Sequence, residues 1–145
     1  MTLEEQLVAT LELLLAAFLS MIVGLDREHR HQPAGLRTHM LVGMGACLFT
    51  ILSIEAFPGA DSARVAAQVV TGIGFLGAGT ILQLRRQGET DIKHLTTAAG
   101  IWATSAVGMA VGAGAWFLAI NGTIIIWVVL AVMRRVDALS NKPGN

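Results

Sequence analysis

Charge is scarce in this sequence. Only 14% of its 145 residues are Asp, Glu, Lys or Arg, against about 25% in an average soluble domain, which is too few to cover a globular surface in water. It has a single cysteine, Cys47, and three prolines. That excludes a disulfide framework, a cysteine-based zinc site and a proline-rich disordered chain. Cys47 lies in an apolar run, where a free thiol behaves as a small buried hydrophobe. HExxH, P-loop and GxSxG motifs are missing, as is any nucleophile paired with a base, so no catalytic set is in sight and the chain reads as a non-enzyme. No internal repeat occurs. Glu4 and Glu5 stand where a signal peptide would carry basic residues, so the first apolar run is expected to stay in the protein.

Apolar sequence is what the chain has in abundance: 54% hydrophobic residues and a mean hydropathy of +0.64. Five runs stand out, at 6–25, 38–56, 65–84, 95–112 and 115–133, each 18 to 20 residues long. A helix needs about 20 apolar residues to cross the hydrocarbon core. The expectation is an all-α, multi-pass membrane protein with five transmembrane helices over 1–133 and a short tail over 134–145. Nine of the ten basic residues fall on one side of these runs, and only Arg64 falls on the other. By the positive-inside rule the N-terminus is then outside and the C-terminus cytoplasmic. Glu4, Glu5, Glu12, Glu55 and Asp61 gather toward the outer side.

The third run contains Gly72-x-Gly74-x-x-Gly77 and, two residues on, Gly79. This spells a dinucleotide-binding turn, but that turn needs a preceding strand, a following amphipathic helix and an acidic residue about 20 positions later. At bilayer depth a pyrophosphate would bury uncompensated charge, so neither nucleotide nor nucleic acid is expected. Small residues instead let membrane helices approach closely. Gly72 and Gly79 fall within about 20° of one another at 3.6 residues per turn, Thr71, Gly74 and Ala78 form a second small strip, and Gly100, Thr104, Gly108 and Gly112 make a stripe in the fourth run. The third and fourth helices are expected to form the packed centre.

Polar candidates are few. Glu12 shares a helix face with Ala16 and Ser20, opposite a Leu-rich side that suits lipid. It is either an intramembrane carboxylate of functional interest or a headgroup-level residue. Glu55 reads as interfacial, with Arg64 a plausible partner for either acid, Trp116 suits the outer aromatic belt, and Asn121 with Thr123 is placed to bond a neighbouring helix. The densest polar stretch runs from Gly24 to His39. Asp26 and Glu28 have the oxygen chemistry for Mg²⁺, but Arg27, Arg30 and Arg37 stand beside them and favour a network of ion pairs. Asp26, at a helix C-terminus where the dipole disfavours an anion, is expected to take an arginine from another span: Arg37, Arg85 or Arg86. Asp91, in the second basic loop, belongs to the same rim. His29, His31, His39 and His94 lack metal-pair spacing and read as solvated or lipid-facing.

Three blocks, "GLDREHRHQPAGLRTHMLVGMGACLF" (24–49), "VVTGIGFLGAGTI" (69–81) and "HLTTAAGIWATSAVGMAVG" (94–112), in this order and spacing resemble the MgtC/SapB family of bacterial inner-membrane proteins. The resemblance implies importance for Asp26, Arg27 and Glu28, for Gly35, Leu36, Arg37 and Thr38, and for Thr97, Ala98 and Ala99. It also implies a link to growth under magnesium limitation and, in pathogens, to survival in host cells. Longer members carry a cytoplasmic C-terminal domain, and this sequence ends twelve residues after Met133, which leaves open the functions that need the domain. Two readings follow. One is a non-catalytic regulator or binding protein of the lipid bilayer, acting as a homo-oligomer or on another inner-membrane protein and holding no cofactor unless Mg²⁺. The other is a small homo-oligomeric channel or transporter, with Glu12, Glu55 and Asn121 along its path.

Overall fold

A computed structural model describes residues 1–57, 59, 61–86 and 89–140, with side chains described outside 82–92 and 133–140. Five helices carry the fold: α1 (Leu3–Glu28), α2 (Leu36–Ile51), α3 (Ser62–Thr80), α4 (Leu95–Gly112) and α5 (Trp116–Ser140). A two-stranded antiparallel hairpin, β1 (Leu82–Arg86) and β2 (Glu89–Lys93), sits between α3 and α4, with Leu82 opposite Lys93 and Arg86 opposite Glu89.

Local chemistry sets the ends of these elements. Thr2 and Glu5 form a reciprocal capping box on α1, the Thr2 hydroxyl accepting from Glu5 N at 3.2 Å and Thr2 N donating to the Glu5 carboxylate at 2.7 Å. Beyond α2 the helix widens into one π-helical turn over Leu52–Ala56 and stops at Phe57, whose φ of −124 suits a residue preceding proline. The Asp61 carboxylate caps α3 through Ala63 N at 2.9 Å. Gly114, at φ 73, closes α4: its N–H donates to Val111 O at 2.9 Å and that of Ala115 to Ala110 O at 2.8 Å. This paired pattern needs a left-handed residue, which glycine adopts without strain.

The third apolar run was expected to stay helical through Leu84, but α3 ends at Thr80. After Gly79 come two β-branched residues, and from Leu82 the sequence alternates apolar and polar with period two, a strand pattern. α5 continues through the first part of the expected tail to Ser140; residues 141–145 lie outside the described ones.

The bundle is inside-out for a protein in water. Leu7, Leu11, Leu14 and Phe18 on α1 face outward, as do Phe75 on α3 and Phe117 on α5, while the centre holds Ala16, Ser20, Cys47, Thr104 and Thr123. Exposed apolar surface on this scale suits contact with lipid. Among the described residues three helices are long and apolar enough to cross a membrane, namely α1, α2 with its π turn, and α4. The apolar described part of α5, Trp116–Val132, is shorter. α3 is not among them, because Arg64, Gln68 and four glycines lower its hydropathy.

Candidate functional site

Close helix approach builds the site. A Cβ on Gly108 of α4 would lie 2.8 Å from the carbonyl carbon of Gly43 on α2 and 3.0 Å from its Cα. One turn on, a Cβ on Gly112 would lie 3.2 Å from the Cys47 carbonyl carbon and 3.1 Å from Thr50 Cβ. On the other side of α2, a Cβ on Gly24 of α1 would come within 2.9 Å of Leu36 Cα. Distances this short require backbone against backbone, so α1, α2 and α4 form the tight centre. The expected seam therefore runs through Gly100, Gly108 and Gly112, and a Cβ on Gly77 of α3 would lie 3.6 Å from Ala98 Cβ. Gly72, Gly74 and Gly79 would meet nothing within 4 Å. They are not packing glycines within this chain, because α3 lies at the edge and buries only Val69 and Gly77. Nor do they form a turn, since α3 runs unbroken through them.

At the arginine-rich end, the tight centre opens into a buried polar nest. Arg30 ion-pairs with the Asp26 carboxylate, and Arg27 Nε lies 3.8 Å from its other oxygen. Arg27 is 5% exposed. Arg30 also donates to the Leu130 carbonyl of α5 at 3.4 Å. Asp26 therefore finds its arginine within its own segment rather than on another span. The reason is that the chain keeps turning past Glu28, with Arg30 N bonded to Arg27 O and His31 N to Glu28 O, which stacks Arg30 one turn above Asp26. Arg37 and Thr38 lie on the exposed side of the first turn of α2. The side chains of Arg85, Arg86 and Asp91 lie outside the described ones.

Glu28 has a different task. Its carboxylate accepts from Leu36 N at 2.9 Å and so caps α2, whose own cap residue, Gly35, has no side chain to do so. Gly35 is needed there, as its Cβ would lie 3.0 Å from Glu28 Cδ. Asp26 is thus engaged by arginines and Glu28 by a helix N-terminus, and among the described residues no group of three or more His, Cys, Asp or Glu is placed to hold a metal. These residues do not fit a resident Mg²⁺.

His39 was expected at the surface with the other histidines, but it is fully buried. It projects toward α4 over Gly100, whose Cβ would lie 3.6 Å from His39 Cε1; glycines on both neighbouring helices leave room for the ring. The Thr104 hydroxyl donates its one hydrogen to Gly100 O at 2.9 Å, so His39 Nδ1, 2.9 Å from that hydroxyl, must be the donor to it. Nε2 is then a bare acceptor, buried and without a hydrogen-bond partner among the described residues. Nearby, buried Thr97 donates to Gln32 Oε1 at 3.2 Å, tying α4 to the first loop. Gln32 escaped the sequence reading, Thr104 was read only as a small packing residue and His39 as solvated or lipid-facing, while Arg30 was placed in the ion-pair network that the structure shows around Asp26. The i, i+4 spacing of Asp26 and Arg30 was a usable signal, and so was that of His39 and Gly43.

The opposite end carries the acids. Trp116 Nε1 donates to Glu12 Oε1 at 3.1 Å, which places Glu12 level with the turn between α4 and α5, not at mid-helix. Glu4, Glu5, Glu12 and Glu55 line one open cavity of about 570 Å³ whose floor is Ile51 and Gly112. Asn121 bonds its own helix, donating to Phe117 O at 2.7 Å, instead of the neighbour expected for it.

Residues 13–139 match the family model described as the MgtC family. The chain is 46% identical over 141 residues to the "Putative magnesium transporter YhiD" of Escherichia coli K12, an alignment covering 91% of this chain and 64% of that protein. It is 38% identical to SrpB of Synechococcus elongatus, covering 88% of this chain and 76% of the relative. To MgtC of Salmonella typhimurium LT2 it is 40% identical, over 91% of this chain and 55% of the relative. The chain thus spans about two thirds of YhiD and about half of MgtC. No solved structure matches it significantly. The glycine seams, the polar nest and the outward apolar faces are those of a membrane protein, and by sequence the chain belongs to the MgtC family.

Proposed function

We propose that this chain is a non-catalytic regulatory or binding protein of the bacterial inner membrane, linked to Mg²⁺ homeostasis and growth at low Mg²⁺. It crosses the bilayer five times, with the N-terminus outside and the arginine-rich end in the cytoplasm. It works as a homo-oligomer or on another inner-membrane protein. One observation carries the reading: much of the interior polar chemistry ties helices together, with Ser20 Oγ and His39 Nε2 among the buried atoms left without a hydrogen-bond partner in the described residues. Asp26, Arg27 and Arg30 lock α1 toward α5, His39–Thr104 joins α2 to α4, and the Gly43–Gly108 and Cys47–Gly112 contacts bring backbones together between the two ends. A carrier would instead place free polar groups near the midplane.

A transporter is the second reading. The name of the YhiD relative favours it, and so does the acid-lined cavity, which would concentrate cations at the end opposite the arginines. Purified protein in liposomes separates the two. The regulatory reading expects Mg²⁺ uptake no faster than in protein-free vesicles, while the gene restores low-Mg²⁺ growth to a deletion strain. Protein-dependent uptake that falls in Glu12→Gln would establish transport and overturn the regulatory reading. A reporter fused at the C-terminus and active only outside the cytoplasm would overturn the orientation.

A further inference from the structure

Two glycines that pack against nothing, Gly45 on α2 and Gly72 on α3, mark a groove. Between α2 and α3 lies an apolar cavity of about 470 Å³, within the range of small-molecule sites at roughly 300–1,000 Å³, walled by Leu41, Phe49, Val65 and Leu76 among others and including Gly45 and Gly72. A Cβ at either glycine would meet nothing within 4 Å, so the missing side chains are what keep the groove open. Along α3 it runs from Val65 to Leu76, about 17 Å at 1.5 Å per residue, close to half of a hydrocarbon core of about 30 Å. A second cavity adjoins it, sharing Phe49, Val65 and Gln68, and adds Ser53, Asp61 and Arg64. Arg64 is the one basic residue on its side of the apolar runs and is exposed, with no ion pair among the described residues. Asp61 is the one acid in this second cavity, and its carboxylate is engaged on Ala63 N.

We propose that the two cavities form a single phospholipid site. The phosphodiester sits against Arg64 and the amide of Gln68 at the start of α3, and one acyl chain lies in the groove over Gly45 and Gly72. Charge complementarity at Arg64 selects an anionic headgroup, and a groove one leaflet deep selects a single chain rather than a helix crossing the whole bilayer. The site also explains why α3 carries glycine at position 72, where no neighbouring helix requires it.

The test uses the full chain purified in mild detergent. Bound phospholipid is quantified by extraction and native mass spectrometry after incubation with phosphatidylglycerol or phosphatidylethanolamine. Gly45→Leu and Gly72→Leu fill the groove without touching the bundle, and Gly74→Leu is the matched control, equally open but outside the groove. Wild type and Gly74→Leu are expected to retain phosphatidylglycerol over phosphatidylethanolamine. The two groove variants should lose retention about tenfold with unchanged melting, and Arg64→Gln should lose the headgroup preference. Retention in Gly72→Leu equal to wild type overturns the proposal, as does equal loss in Gly74→Leu. A shift from oligomer to monomer in the groove variants with lipid content unchanged would assign the groove to a second copy instead.

Discussion

Glycine to alanine has a different expected sign at two sets of positions in this one protein. In a helix, alanine is favoured over glycine by about 1 kcal/mol, so propensity alone predicts that every helical Gly→Ala change stabilises. At Gly108 the added Cβ would lie 2.8 Å from the Gly43 carbonyl carbon and closer still to its oxygen. These are backbone atoms in the middle of α2 and have no rotamer to yield. Relief requires α2 and α4 to separate, which also disturbs the Cys47–Gly112 contact one turn away. Overpacking costs about 1–3 kcal/mol, and a rigid backbone neighbour puts Gly108→Ala toward the upper part of that range. Set against the propensity gain, the net loss is about 1–2 kcal/mol. At Gly74, where nothing lies within 4 Å, only the gain remains, about 0.5–1 kcal/mol. The two substitutions should thus differ by roughly 1.5–3 kcal/mol with opposite signs.

Reversible unfolding in mixed micelles, following helix signal against denaturing detergent, measures both on one scale. Gly108→Leu should be worse than Gly108→Ala, whereas Gly74→Leu should fold and melt as wild type does. If Gly108→Ala proves as stable as Gly74→Ala, the α2–α4 backbone contact is not the centre of the bundle and the argument fails.

Asp26→Asn should cost about 3–5 kcal/mol, because it removes the carboxylate that Arg30 and Arg27 share in a largely buried site; a melt within 1 kcal/mol of wild type would show the pair to be solvated. Full low-Mg²⁺ growth with Asp26→Asn would likewise separate the nest from function. Glu28→Ala should cost about 0.5–2 kcal/mol through loss of the α2 cap, and Glu28→Gln, which keeps an acceptor, distinctly less; equal losses would refute the capping role. His39→Asn retains a donor for the Thr104 hydroxyl, and so should be milder than His39→Leu, which buries that acceptor without its partner at about 1–3 kcal/mol. Both are read from the same denaturation curves, and an inverted order would contradict the hydrogen-bond assignment.

The sequence showed the faces of α1 because their periodicity is simple: Leu7, Leu11, Leu14 and Phe18 on one side, Ala16 and Ser20 on the other, and the structure exposes the first set and buries the second. Gly108 and Gly112 were legible for the same reason. Gly72 and Gly79 form an equally regular strip, and periodicity cannot say whether a small face meets a helix or open space; that depends on α3 lying at the edge. The end of α3 was missed because an apolar run was measured by composition across a change of period, from helix to strand, at Ile81. Asp26 was expected to need a foreign arginine because the helix was ended at Leu25, three residues early, which hid Arg30 as its partner at i+4. His39, at the start of the second apolar run, was misplaced because a histidine beside a basic loop reads as solvated, and only the glycines of two other helices make a pocket for it.

The arrangement divides the molecule into a fixed part and a permissive part. α1, α2 and α4 are held at glycine contacts that leave no room for a methyl group, and at the arginine-rich end by bonds linking α1 to α5 and the first loop to α4. Sliding α1 along α5 would break the bond from Arg30 to Leu130 O, whereas the pairs of Asp26 with Arg27 and Arg30 lie within one segment and would move with it. α3 has no such tie among its described side chains. It buries only Val69 and Gly77, rests on Ala98 at van der Waals distance and bonds α2 only through Ser53 to Ser62 O at 3.4 Å. Elements with few buried contacts open at the lowest free-energy cost, so α3 is where a bound lipid or partner can alter the structure without unfolding the centre.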